Sequence, residues 1–233
     1  MQARNLTKSE SDHTMRKIAI VCLLALAVPA SAMALPLKPW VGVSGGINTY
    51  EMGDVNSQIG DINLSTLDEI GNGFAFGVHA GMAISPLITV GAGYEFLTAG
   101  SSTSALANEY DFNLPAHTFR GGLELRAPTP GPLKLGVGAA VGRVSAAGDV
   151  LQLVAGLPSV GQVSGSGPMF EGYAVADLWF TPIMALSPSI GYRRAKISEI
   201  QYDGTTVTNP DGSDYSLDYS GYFMRLSLKI GLP

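Results

Sequence analysis

The chain has 233 residues, of which 46% are hydrophobic and only 14% are charged, against about 25% charged residues in soluble domains. After residue 34 there is nevertheless no apolar run of about 18 residues, the length that a membrane-spanning helix needs. The formal net charge of −5 argues against non-specific binding to nucleic acid, whose phosphate backbone attracts basic proteins. Glycine, with 29 residues, exceeds its usual share of about 7%.

The N-terminal residues 1–34 predict a cleaved signal peptide. Residues 15–17 form a short basic region, residues 18–28 are apolar, and two small-x-small sites end at Ala32 and Ala34. This order of basic, apolar and small residues is that of a secretory signal. An uncleaved N-terminal anchor is the alternative.

We expect Met15 to be the true initiator, because the residues before it are polar and precede the basic region. Cleavage would leave a single domain, residues 35–233, with a net charge of −7 because four bases and two acids lie before it. The only cysteine, Cys22, would be lost with the signal. Disulfides and thiol catalysis are then excluded.

The clearest pattern lies between residues 73 and 98, where apolar residues alternate with small or polar ones in two runs. A tight break at Ser85 and Pro86 separates the runs, which predicts a β-hairpin with strands of about ten residues. That length suits a tilted strand that crosses a bilayer. One face of the hairpin comprises Phe74, Phe76, Val78, Ala80, Met82, Ile84, Ile88, Val90, Ala92, Tyr94 and Phe96.

Six further segments alternate in the same way, so we predict about eight strands. Pro115 interrupts one of them and predicts a bulge. The connections alternate in length: long ones follow the first, third, fifth and seventh strands, and short turns follow the others. The first long connection contains residues 64–70, which could form a helical turn. The six segments are residues 39–50, 110–126, 133–142, 170–180, 184–201 and 215–232, and the long connections are 51–72, 99–108, 145–168 and 202–214.

These features predict an all-β fold, an eight-stranded antiparallel up-and-down transmembrane β-barrel in the outer membrane of a Gram-negative bacterium. Long loops would be extracellular, and short turns and both termini periplasmic. A soluble barrel with its apolar face inward is the alternative, but the polar face here is mostly Gly, Ser and Ala, which suits a narrow interior. Aromatic residues near predicted strand ends suggest interfacial girdles: Trp40, Tyr50, Phe74, Phe96, Tyr110, Trp179, Phe180 and Tyr202.

In these respects residues 38–232 resemble the small outer-membrane β-barrel family, which includes the membrane domain of the major outer-membrane protein A and the X- and W-type barrels. The resemblance implies that periplasmic chaperones and the barrel-insertion machinery deliver the chain to the outer membrane. It also implies that the protein is a monomer in contact with outer-membrane lipids and lipopolysaccharide. Such chains usually end in an aromatic residue, whereas this one ends at Pro233. The resemblance to W-type barrels implies, as an alternative, an entrance for an apolar solute, which the apolar patch at residues 151–154 would suit.

Charged residues at the alternate strand positions that face the barrel interior, here said to have inward parity, predict an ionic network in the lumen. A buried charge persists only if it is paired. Counting from the turns places Glu95 near Arg120, Glu124 near Lys134, and Glu171 near Arg193. The network would act as a structural plug; a narrow or gated ion path is the alternative. Its predicted members are Glu95, Arg120, Glu124, Lys134, Glu171, Asp177, Arg193, Arg225 and Lys229.

Three bases have outward parity near the outer strand ends: Arg143, Arg194 and Lys196. There they could contact lipopolysaccharide phosphates, which arginine is well shaped to bind. The alternatives are a bulge that turns them inward and plain snorkelling. The long loops are acidic, which fits a solvated surface; a divalent-cation site is the alternative, although residues 211–218 lack the spacing of a calcium loop.

Catalysis has little support in the sequence. A lipid-A-modifying barrel enzyme would need Ser, His and a carboxylate together. Beyond the signal only His79 and His117 remain, and His117 lacks a serine two residues further on. We therefore expect no enzyme activity, no cofactor and no metal site, and a structural or surface-interaction role, with a narrow channel or small-solute uptake as the alternative.

Overall fold

The computed structural model describes residues 37–61, 69–105, 108–154, 157–209 and 212–232. The predicted signal peptide in residues 1–34 lies outside them. Eight strands form the barrel: β1 (Lys38–Thr49), β2 (Asn72–Ala83), β3 (Ile88–Leu97), β6 (Ala116–Arg126), β7 (Leu133–Val154), β8 (Leu157–Trp179), β9 (Met184–Ile197) and β13 (Gly221–Gly231). Shorter elements lie at one end: helix α1 (Gly53–Asp61) and strands β4 (Gly100–Ala105), β5 (Asn108–Asn113), β10 (Ile200–Tyr202), β11 (Thr205–Thr206) and β12 (Leu217–Asp218).

Each barrel strand pairs antiparallel with its neighbours in chain order, and β13 pairs with β1, which closes the barrel. A circuit that starts at Lys38 and follows the paired residues returns to β1 at Asn48, ten residues further along. Such a stagger tilts the strands against the barrel axis. Among the described residues, no helix is long and apolar enough to cross a membrane. The predicted fold is confirmed.

Large apolar side chains of the strands face outward. Phe74, Val137 and Tyr222 expose 60%, 59% and 68% of their surface, while charged residues such as Glu95 and Arg193 are buried inside. An outward apolar belt of this extent suits lipid rather than water. The soluble alternative, with its apolar face inward, is therefore wrong.

The predicted aromatic girdle has three wrong members: Trp40, Tyr50 and Trp179, which shares the inward parity of Asp177 and lies opposite the buried Ala185. Trp40 points into the lumen, where its ring lies 5.3 Å from that of His79. Tyr50 is 6% exposed and belongs to an apolar cluster at the loop end. The side chain of Tyr110 is outside the described part of the chain. Parity explains the first error, because Trp40 shares the inward face of β1 with Gly42 and Ser44.

Glycine lets the narrow interior hold a large ring. Tyr173 on β8 lies directly between Gly138 on β7 and Gly191 on β9. A Cβ at Gly138 would overlap the Tyr173 ring, and one at Gly191 would lie 2.7 Å from the Tyr173 Cβ. Tyr173 can occupy this level of the lumen because neither neighbouring strand carries a side chain there.

The end of the barrel with the long connections, here called the loop end, contains more strand than predicted. β7 and β8 pair continuously from Leu133 and Leu178 to Val154 and Leu157, through a segment that we expected to be a loop. The β4–β5 hairpin pairs with β7, and β10 pairs with β8. Pairing satisfies backbone groups that a loop would leave to solvent. The side chains of residues 149–154, including the predicted apolar patch, lie outside the described part.

Pro115 does not mark a bulge. Asn113 of β5 lies opposite Asp149, and Ala116 of β6 lies opposite Ala146. Both chains therefore advance by three residues between these two pairs, and neither has the extra residue of a bulge. The ladder is interrupted but its register is kept. Proline lacks the N–H that the ladder would use, which accounts for the interruption without an extra residue.

Helix α1 lies earlier in the first long connection than the predicted turn at residues 64–70. Residues 64–68 are outside the described part, and Glu69 and Ile70 are not helical. The helix follows Met52, whose φ of 36° redirects the chain. Both side-chain atoms of Asn56 bond to the backbone of Ile70, at 2.8 and 3.3 Å, which fixes the helix against the returning chain.

Candidate functional site

The lumen contains two groups of charged residues at different heights. The one closer to the loop end, here called the upper cluster, comprises Glu95, Arg120, Glu171, Arg193 and Arg225. Arg193 Nε donates to Glu171 Oε1 at 2.7 Å, and Arg225 Nε donates to Glu95 Oε1 at 2.7 Å. Arg193 also pairs with Glu95, and Arg120 with Glu171. Each carboxylate therefore receives at least two guanidinium groups, which compensates for its loss of water.

The lower cluster comprises Glu124, Arg126, Asp177 and Lys229. Lys229 Nζ donates to Asp177 Oδ1 at 2.9 Å, and Arg126 pairs with both Asp177 and Glu124. Ser187 also donates to Asp177, and Tyr173 donates to Glu124 Oε1 at 3.2 Å. The side chains of Asp177 and Lys229 are no more than 5% exposed.

One of the three predicted neighbours forms a direct ion pair: Glu171 lies opposite Arg193 and pairs with it. Glu95 and Arg120 lie in the same cluster, as predicted, but Glu95 forms its ion pairs with Arg193 and with Arg225. The residue opposite Glu95 on β6 is Thr118. Arg120 lies two residues further along β6 and pairs with Glu171 on β8.

The predicted pair of Glu124 with Lys134 is wrong. Glu124 lies opposite Gly138, four residues from Lys134, and takes Arg126 as its partner. Lys134 donates to the Thr129 carbonyl oxygen at 2.7 Å, at the end of the barrel with the short turns, here called the turn end. Arg126 was missing from the predicted set, although its parity is that of Glu124.

Aromatic rings support the cations of both clusters. The guanidinium carbon of Arg225 lies 4.4 Å from the centre of the Phe223 ring, and that of Arg193 lies 5.5 Å from it. Lys229 Nζ lies 4.6 Å from the centre of the Trp40 ring. A ring face attracts a cation, more strongly where water is excluded.

An apolar layer, here called the cap, closes the lumen above the upper cluster. Two residues beyond Glu95, Arg193 and Glu171 towards the loop end, the inward positions become Leu97, Ala195 and Met169. Loop residues pack onto them, and all are almost fully buried. The members of the cap are Tyr50, Met52, Val55, Ile70, Ala75, Leu97, Ala99, Leu114, Ala116, Val144, Ala146, Val163, Met169, Ala195, Ile197, Ile200, Leu217 and Tyr219.

Hydrogen bonds hold the loop residues of the cap in place. Tyr219 donates to the Leu114 carbonyl at 2.8 Å, and Tyr50 donates to the Thr98 carbonyl at 3.0 Å. Asp54 of α1 accepts from the Ser216 hydroxyl at 2.6 Å and from its amide at 2.8 Å. These hydrogen bonds join the connections at the loop end to one another and to the chain directly after β3.

The outward bases Arg143, Arg194 and Lys196 are exposed on the outer wall, on β7 and β9, which flank β8. Arg143 lies opposite Pro168 and Arg194 opposite Phe170, two residues apart on β8. Arg143 also donates to the Ser166 hydroxyl. The ladders are unbroken at Arg143 and Arg194, so the alternative of a bulge that turns the bases inward is wrong.

Acidic residues of the loop end are used within the structure. Besides Asp54, Asp203 accepts from the Gln162 amide at 2.9 Å, Asp218 from the Ser220 amide at 3.0 Å, and Glu51 from the Tyr192 hydroxyl at 3.1 Å. Within the described ranges no three His, Cys, Asp or Glu residues are grouped as metal ligands. These carboxylates order the loops.

The two histidines occupy separate aromatic sites. His117 Nδ1 lies 2.6 Å from the Tyr94 hydroxyl on the outer wall, beside Phe96. His79 lies in the lumen against Trp40. One ring faces outward and the other inward, so they do not share a site.

Comparison with known proteins places this barrel in a family. A family model described as outer membrane protein beta-barrel domain matches residues 18–216. The chain belongs to this outer-membrane β-barrel family. No curated protein matches its sequence.

Solved structures of outer membrane proteins are similar to this barrel at low sequence identity. A major outer membrane protein from Thermus thermophilus has 12% identity and a TM-score of 0.51, over 83% of this chain and 99% of that one. Neisserial surface protein A has 12% identity and a TM-score of 0.48, over 83% and 96%. OprG from Pseudomonas aeruginosa has 8% identity and a TM-score of 0.49, over 84% and 95%. At such identities the likeness concerns the fold alone.

Proposed function

We propose that the protein is a structural and surface-interaction barrel of the outer membrane whose lumen does not conduct ions. The observation that carries this proposal is the position of the cap directly above the upper cluster. An ion path needs continuous water or polar groups, whereas Leu97, Met169 and Ile197 close the lumen with side chains of 0% exposure. Below them, the lumen contains the two charged clusters.

Planar bilayer recordings test this role. The refolded protein should give no regular conductance steps, while a general porin reconstituted in the same way should give them. Regular steps from the wild-type protein would overturn the plug and favour the narrow channel.

A non-catalytic role also agrees with the separate aromatic settings of His79 and His117.

In this proposal the loop end faces the cell exterior and the termini face the periplasm. The asymmetry supports it: β7 and β8 extend far beyond the other strands at one end, while short turns such as that after Arg126 occupy the other. Outer-membrane barrels have long extracellular loops and short periplasmic turns. We further propose that the barrel is inserted by the barrel-insertion machinery, with periplasmic chaperones, and remains a monomer.

We also propose that Arg143, Arg194 and Lys196 bind lipopolysaccharide phosphates. Three exposed bases on one side of the wall beside the outward Phe119 and Phe170 fit a membrane surface that is anionic and partly apolar. Lipopolysaccharide retained by an Arg143→Ala/Arg194→Ala variant should fall severalfold, while Val78→Ala, an exposed position on β2 three strands from both β7 and β9, should retain the wild-type amount. Equal retention by the wild type and both variants would contradict this proposal and favour the alternative, in which the three bases only snorkel towards the membrane surface.

A further inference from the structure

The charges of the lumen do not balance. Among the described residues in the two clusters, five cations stand against four carboxylates; His79 is taken as neutral because Arg120, Arg225 and Lys229 line the same cavity. The excess lies in the upper cluster, where three guanidinium groups share two carboxylates. The five cations are Arg120, Arg126, Arg193, Arg225 and Lys229, and the four carboxylates are Glu95, Glu124, Glu171 and Asp177.

An uncompensated charge in a water-poor interior is costly. Lys134 cannot correct this excess, since it is a further cation. Since neither cluster contains a further carboxylate, a mobile anion that enters from the medium can supply the compensating charge.

A cavity of about 60 Å³ lies between the two clusters. Arg120 and Arg225 line it from the upper cluster, and Glu124 and Lys229 from the lower one. The volume exceeds the ~10–15 Å³ that one water needs on this measure, so a small ion fits and a metabolite does not.

The cavity wall offers donors suited to an anion. Ser189 lies directly opposite Arg225 on the neighbouring strand, and both line the cavity together with Ser227. Hydroxyl and guanidinium groups donate hydrogen bonds, and charged donors form the stronger ones. We propose that this cavity binds one small monovalent anion of the chloride class against Arg120 and Arg225. The bound anion neutralises the lumen.

The thermal midpoint of the refolded protein in a zwitterionic detergent measures this binding. At constant ionic strength, replacing gluconate, which is too large for the cavity, with chloride should raise the midpoint by about 5 °C and then saturate. Coinciding midpoints in the two salts would overturn the proposal.

Two variants remove the need for the anion in different ways. Arg120→Met removes the excess cation, while Glu171 keeps Arg193 and Arg225. Ser189→Asp supplies a fixed carboxylate opposite Arg225. Both should lose the chloride response, and Arg143→Met, an outward arginine, should keep it. A full response in the two lumen variants would place the anion elsewhere and overturn the assignment.

Trp40 gives a local readout, because it lines the same cavity. With Trp179→Phe as background, iodide should quench Trp40 fluorescence along a saturating curve, and adding Ser189→Asp should leave only linear collisional quenching. A linear curve of equal slope in both proteins would show that no anion enters, and would overturn the proposal even if the variants fold poorly.

Discussion

Arg193 and Glu95 form an ion pair across the full width of the lumen, because β9 and β3 lie four strands apart in a barrel of eight. Both side chains are almost completely buried. The pair connects opposite sides of the barrel wall. It therefore stabilises the cross-section of the barrel, which an ion pair between neighbouring strands does not do.

Removing Arg193 should therefore be costly. We expect Arg193→Met to lower the free energy of unfolding by about 3–5 kcal/mol, because Glu95 and Glu171 both lose a partner in a buried site. Urea unfolding of the refolded protein, followed by tryptophan fluorescence, measures the loss. Arg194→Met, the next residue but exposed on the outer wall, should unfold with the wild-type midpoint.

The double variant Glu95→Gln/Arg193→Met should lose less than the sum of the two single variants, because each single change leaves a charge without its partner. Additive losses would show that the two side chains do not interact in the folded barrel.

The cap depends on Tyr219, whose hydroxyl bonds to Leu114. Tyr219→Phe keeps the ring and removes this hydrogen bond, so we expect a loss of about 1 kcal/mol in the free energy of unfolding. Tyr222→Phe, whose ring is 68% exposed, is the matched control and should be neutral. Equal effects of the two changes would remove the special role of the cap hydrogen bond.

Alkaline pH should weaken the cap through Tyr50, which is a member, and through Tyr215, which packs against it. Burial raises the pKa of Tyr50 to about 12, and burial together with the Asp54 carboxylate raises that of Tyr215 to about 12. An unfolded tyrosine has a pKa of about 10, so their contribution is complete below pH 10 and is lost as pH rises towards 12. Absorbance at 295 nm should show two tyrosines that ionise near pH 12. Their ionisation near pH 10 would contradict the buried cap.

The β10–β11 turn has a backbone that favours glycine. Asp203 and Gly204 have φ values of 48° and 79°, which is the pattern of a type I′ hairpin turn. We expect Gly204→Ala to cost about 1–2 kcal/mol locally, visible as faster proteolysis of this hairpin. Gly172→Ala is the control, since its φ is not positive and nothing lies within 4 Å of the added Cβ.

The same turn tests the orientation of the barrel. An epitope inserted between Asp203 and Gly204 should be labelled on intact cells, whereas one inserted at Gly131, in an exposed turn at the other end, should be labelled only after permeabilisation. The reverse result would invert the proposed topology.

Alternation was enough to predict the barrel and the inward parity of its charges, because the period of a strand is two residues. The opposition of Glu171 and Arg193 followed from counting residues across one short turn. Partners across the lumen, such as Glu95 and Arg193, could not be found by that counting. They depend on barrel width, stagger and the reach of arginine, none of which is a local property of the sequence.

The cap was missed for a different reason. Met52, Val55 and Ile70 are isolated apolar residues of the first long connection, which has no periodicity, so no pattern joined them. Leu217 and Tyr219 fall in residues 215–232, which were predicted as the last strand, whereas that strand begins only at Gly221. The extension of β8 was missed because its Gly- and Ser-rich residues 161–167 resemble a loop in composition.

The distribution of charges along the chain bears on how the barrel assembles. Glu95 and Glu171 belong to strands that come earlier, whereas Arg193 and Arg225 belong to the last two strands. Until β9 arrives, the two carboxylates face an open, hydrated seam with Arg120 as their partner, and Arg193 then balances the upper cluster. Arg225 arrives last, with β13, so the excess cation enters the interior in the same step that joins β13 to β1 and excludes solvent.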